Sequence, residues 1–113
     1  VIIFGHSKCA GIRALVEYSP QDTDTQSFVH SWMRIAEDVK RDILHHHGHL
    51  STDMQAQLCE KKAIERSLAN LSTFPWISSR QANNSLKLHG WHFDLDTGTI
   101  YECHAGGNWT ALE

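Results

Sequence analysis

His6 and Cys9, an imidazole and a thiol three positions apart, are the pair of residues in this chain best suited to chemistry. Neutral imidazole and thiolate together are ligands for zinc. A thiol at the start of a helix ionises more readily, because unpaired N–H groups and the helix dipole favour negative charge there. The same spacing also fits a turn in which His6 is a cap and Cys9 a small buried apolar residue. A lone His-x-x-Cys is short and common, so spacing by itself leaves both readings open.

The elements that position the pair are legible on either side of it. Val1-Ile2-Ile3-Phe4 is an unbroken apolar run stopped by Gly5, the pattern of a parallel strand covered on both faces. Gly11 to Glu17 carries Ile12, Leu15 and Val16 at helical spacing. The chain therefore reads strand, tight turn, helix, with both side chains at the carboxyl end of the strand. In open parallel sheets that edge is where ligands bind.

Gly5-His6-Ser7-Lys8-Cys9-Ala10-Gly11-Ile12 resembles the zinc-binding turn of the β-class carbonic anhydrases, G-H-[ST]-x-C-G-[GA]-[IV], with Ala10 where glycine is common. Two later stretches resemble the same family in the same order. Cys59 to Trp76 is similar to its long helix ending in S-L-x-N-L-x-[TS]-[FY]-P, and Leu88 to Gly98 to its L-[HK]-G-[WA]-x-[YF]-[DN]-[IL]-x-[TS]-G hairpin. The three motifs stand in register and are spread along most of the chain, from Gly5 to Gly98.

The resemblance implies reversible hydration of carbon dioxide to bicarbonate, with Zn2+ as cofactor, His6 and Cys9 as two of three ligands, and Gly11 where backbone approaches the site. Zinc lowers the pKa of a bound water from ~15.7 to ~7, making a nucleophile available at neutral pH. The family's third ligand is a cysteine in an earlier C-x-D-x-R segment, whose Asp–Arg pair manages that water. No C-x-D-x-R occurs in these residues. The expectation is that residues 1–113 are one domain lacking its amino-terminal part, that the catalytic pair lies upstream, and that this segment alone is inactive. A non-catalytic zinc-binding interaction module of the same fold is the alternative. Another is a zinc or redox site completed within the chain by Cys59 or Cys103. The family also implies a homodimer or higher homo-oligomer.

Composition adds bounds. A length of 113 residues with 41% hydrophobic and 20% charged residues suits one small globular domain. A net charge of −3 gives no reason to expect nucleic acid or a membrane surface as partner. No apolar run is long enough for a span. Three cysteines without a framework spacing point to a reducing compartment, and so to the cytoplasm.

Along the rest of the chain, Ser19 to Asp24 is a polar breaker. From about Thr25 a long helix is expected, with Phe28, Trp32, Ile35, Ala36, Val39 and Ile43 as one stripe; the family resemblance implies a second subunit against this region, and the sequence leaves own core and subunit interface equally open for it. His45-His46-His47-Gly48-His49 reads as a solvated helix end rather than a metal site. Ser51-Thr52-Asp53 caps the next helix, with Leu58, Ile64, Leu68 and Leu71 inward and Glu60, Lys61, Lys62, Glu65 and Arg66 largely outward. Cys59 reads as a core or half-buried thiol, and Pro75 as the helix's end. From Leu86 the period is two, with a phase change at Gly90 that predicts a bulge or bend. Asp96-Thr97-Gly98 is a turn into a returning strand over 99–103, and His89, His92 and His104 read as surface residues. Residues 105–109 form a glycine-containing tail. The expected fold is α/β: a parallel sheet flanked by helices, a carboxyl-terminal antiparallel hairpin, and the strand within 86–95 parallel to the first.

Overall fold

The computed structural model describes residues 1–17 and 37–112. The breaker at Ser19 to Asp24 and the stripe positions Phe28, Trp32, Ile35 and Ala36 lie outside them. Two units are formed, one of residues 1–7 with the chain from Ile64 onward, the other of Lys8–Ala63.

The first unit is built on a four-stranded sheet in the order β1-β2-β3-β4, where β1 is Ile2–His6, β2 His89–Asp94, β3 Thr99–His104 and β4 Asn108–Ala111. β1 and β2 pair in parallel, as expected, with Ile3 opposite Gly90 and Gly5 opposite His92. The first strand does not stop at its glycine; it runs on through His6, and the Ser7 amide still donates to the Phe93 carbonyl at 2.9 Å. Pairing passes Gly90 without the predicted bulge. That glycine instead serves a close approach, because a Cβ on it would stand 2.7 Å from Leu68 Cδ1 and 2.9 Å from Ile64 Cγ2. Residues 86–88 precede the strand rather than belonging to it.

Gly98, at φ +70°, closes the β2–β3 turn, and its amide donates to the Asp94 carbonyl at 2.8 Å. The expected tail contributes a fourth strand, antiparallel to β3. Its turn rests on Gly106 and Gly107, both in the left-handed region that favours glycine.

The second unit is helical. Helix α1 (Ala10–Glu17) buries Ile12 and Leu15; α2 (Glu37–His47) buries Val39 and Ile43. These four and the fully buried Cys59 form its core, with Cys9, Ala14, Val16, Leu58 and Ala63 packed against them. Val39 and Ile43 thus belong to the chain's own core. Helix α2 ends at His47, and His45, His46 and His49 are exposed, as a solvated helix end requires. The buried Gln55 side chain donates to the His47 carbonyl at 3.2 Å, satisfying one of the groups a helix end leaves open.

Helix α3 (Thr52–Leu71) begins as predicted on Ser51, whose hydroxyl accepts the Met54 amide at 3.3 Å. It stops at Leu71, before Pro75. The proline opens a further helix, α4 (Pro75–Ala82), at the first-turn position where a missing N–H costs nothing. Its lack of a donor made it read as a terminator, and that reading is corrected here.

Candidate metal-binding turn

His6 is the last residue of β1 and is exposed. Its Nδ1 lies 2.7 Å from the Ser7 carbonyl oxygen. A carbonyl only accepts, so this nitrogen is the donor, and in the neutral ring Nε2 keeps its lone pair. Metal-ligating histidines are oriented in this way, the second ring N–H being given to a backbone carbonyl. Ser7 also ties the strand exit to the sheet, since its hydroxyl accepts the Leu95 amide at 2.8 Å.

Cys9 stands at the amino end of α1, half-buried, with its carbonyl accepting the Arg13 amide at 3.0 Å. Gly11 is the second residue of that helix. Between the strand and Cys9, Lys8 adopts φ +55°, the left-handed region that a residue with a side chain rarely occupies. Its amide donates to Glu60 Oε2 at 3.1 Å. Glu60 is 6% exposed, where the helical pattern put it outside. Periodicity carries no information about an inward carboxyl that a turn amide satisfies, so this residue was missed. A cleft of about 500 Å3 opens here, lined by Lys8, Cys9, Ala10, Arg13, Asp53 and Glu60. Arg13 is engaged on both sides: Nη1 with Asp53, and Nε with Glu17 at 3.0 Å. These contacts hold its guanidinium firmly charged.

The donor set suits zinc in type: an imidazole with a free-standing lone pair in its neutral form and a sulfur at a helix start. Among the described residues, no three His, Cys, Asp or Glu side chains gather to hold an ion. Cys59 is a poor candidate for completing the site. It is 0% exposed, and burial, with some help from Glu60, pushes its thiol up to about 11, so it stays protonated and apolar. Cys103 lies in β3, half-buried.

The hairpin histidines divide. His104 is exposed, with Nε2 2.6 Å from Thr110 Oγ1. His89 is half-buried, 3.2 Å from the Glu102 carboxylate that also accepts the Trp91 indole N–H at 2.8 Å. His92 corrects the surface reading, being 5% exposed with Trp109 edge-on at 6.4 Å between ring centres. Trp109 sits on β4, a strand the sequence pattern did not reveal.

The family model for carbonic anhydrase matches residues 1–100. Over 95 residues the chain is 35% identical to β carbonic anhydrase 5, chloroplastic, of Arabidopsis thaliana, covering 84% of this chain and 31% of that protein. It belongs to the β-class carbonic anhydrase family. β carbonic anhydrase 3 of the same plant is 33% identical over 101 residues, 88% of this chain and 39% of that one. The chain thus spans about a third of the length of these relatives. Among solved structures, the β-carbonic anhydrase CcaA superposes over 99% of this chain and 50% of its own, with a TM-score of 0.88 and 26% identity. A tetrameric β-carbonic anhydrase of Sordaria macrospora shares the fold at a TM-score of 0.77 and 21% identity, over 97% of this chain and 53% of its own. The α/β fold with its mixed sheet and helices is thus a β-carbonic anhydrase fold.

Proposed function

We propose that this chain contributes His6 and Cys9 to the zinc site of a protein that reversibly hydrates carbon dioxide to bicarbonate. The observation that carries the reading is the 2.7 Å approach of His6 Nδ1 to the Ser7 carbonyl oxygen: a carbonyl only accepts, so Nδ1–H is donated there and Nε2 is left to bind a metal, in a turn matching the family's motif. Bound zinc supplies an acidified water with a pKa near ~7. The chain's own residues do the holding. His6 brings a ring nitrogen, Cys9 a sulfur at the amino end of α1, and Gly11 a bare backbone in the first turn of that helix. On this reading the third ligand and the Asp–Arg pair belong to sequence outside residues 1–113. Homo-oligomeric assembly is proposed by extension from the Sordaria protein. A reducing, cytoplasmic setting is proposed from three cysteines whose spacing shows no disulfide framework.

Zinc content and carbon dioxide hydration, measured on the full-length protein and its His6→Gln and Cys9→Ser variants, test the reading. Both variants are expected to lose bound zinc and activity. Full zinc occupancy and activity in folded Cys9→Ser protein would remove the ligand assignment.

A further inference from the structure

Glu60 is a charged residue of the helical unit that periodicity places outside and the fold buries. Its neighbour Cys59 is fully enclosed in the core, so the helix backbone beneath Glu60 is fixed. From that fixed point the carboxyl reaches the Lys8 amide at 3.1 Å. Lys8 is the residue immediately before Cys9 and stands in the left-handed region at φ +55°. A lysine stays there only if its surroundings over-determine the conformation. The Cys9 side chain also packs against the core cluster that contains Cys59.

We propose that Glu60 is a positioning residue for Cys9: by accepting the Lys8 N–H it fixes the left-handed turn, and the turn aims the sulfur. The proposal rests on the reading of Cys9 as a zinc ligand and deepens it. Glu60 acts through the backbone and is no ligand itself. The requirement is therefore an acceptor oxygen at this place, not a charge. Glutamine supplies such an oxygen; alanine does not. Groups that orient metal ligands from outside typically change metal affinity by roughly 10- to 100-fold when removed.

The test uses the full-length zinc protein and three variants, Glu60→Ala, Glu60→Gln and Cys9→Ser. Zinc release to a chelator is followed, together with the thiolate-to-cobalt charge-transfer band after Co2+ substitution. Glu60→Ala is expected to release zinc roughly tenfold faster or more and to shift the band. Glu60→Gln is expected to stay within about threefold of the parent, a rescue that loss of a charge does not allow. A folded Glu60→Ala protein with the parental release rate and band overturns the proposal, and so does a Glu60→Gln protein as impaired as Glu60→Ala. If Glu60→Ala fails to fold, amide hydrogen exchange at Lys8 in the parent decides. Strong protection is expected, and exchange at the rate of an open peptide overturns the hydrogen bond and the proposal with it. Unchanged zinc in Cys9→Ser would instead sink the ligand assignment, on which the Lys8 exchange measurement does not depend.

Discussion

Ile64 lies directly over Gly90, its Cγ2 2.9 Å from the point a Cβ on that glycine would occupy. Its Cδ1 stands 2.7 Å from the corresponding point on Gly5, so one buried side chain of α3 fills the space above glycines on two paired strands. A methyl at Gly90 meets Leu68 as well, and the contacting Cγ2 of Ile64 sits close to its own backbone and has little freedom to move. Gly90→Ala is expected to cost about 1–3 kcal/mol, the usual range for overpacking, and Gly5→Ala less. Ile64→Val removes Cδ1 and keeps Cγ2. In denaturant melts it is expected to offset much of the Gly5→Ala cost and little of the Gly90→Ala cost. Equal rescue of both would mean that helix and sheet are not packed as described.

Ser7 predicts a smaller effect at the strand exit. Its hydroxyl accepts the Leu95 amide, and the residues concerned are largely solvated, so water replaces the lost partner. Ser7→Ala is expected to cost about 0.5–1 kcal/mol, while Ser7→Thr keeps the acceptor and stays near the parent. A neutral alanine variant would show that this bond does not form in solution.

The Cys59 thiol sets a pH dependence with a defined sign. Its value rises from 9.0 to about 11 in the folded protein. Below 9 both states carry the proton and nothing depends on pH. Between about 9 and 11 the unfolded chain releases it while the folded chain retains it, so stability falls across that window, by about 2–3 kcal/mol in total. Lysines and tyrosines titrate nearby, so the readout is the difference between parent and Cys59→Ala in unfolding midpoints at pH 8 and pH 10.5. Parallel slopes would contradict the buried thiol. In the native protein Cys59 is also expected to resist alkylation.

Glu102 offers a second titration. The Trp91 indole N–H, and then His89, hold its carboxyl below the ordinary carboxylate range, against some desolvation. Because the folded value is depressed, the contribution to stability is present at neutral pH and lost as pH falls through that value. The Trp91 indole resonance in 15N spectra is expected to shift with a midpoint below that of an ordinary glutamate, and the step should vanish in Glu102→Gln. A midpoint at or above the ordinary value would separate the pair.

Much of this molecule is local, and what is local was legible. The strand–turn–helix carrying His6 and Cys9 follows from an apolar run, a glycine and a helical stripe. The α3 cap follows from Ser51, and the turn at Gly98 from its freedom at positive φ. The three motifs, set by residue type and spacing, led to the family that the comparisons then established.

Other features depend on what lies opposite a residue in space. Gly90 reads as a bulge until Ile64 and Leu68 are set above it. Likewise, His92 reads as surface until β4 brings Trp109 alongside, and β4 itself is too short and glycine-flanked to announce a period. Pro75 stops a helix or starts one with equal ease, and the turn at 72–74 decides which. Glu60 is the sharpest case. Sequence assigns a carboxylate to water because burying it costs energy, and only the tertiary structure supplies the Lys8 amide that offsets the cost.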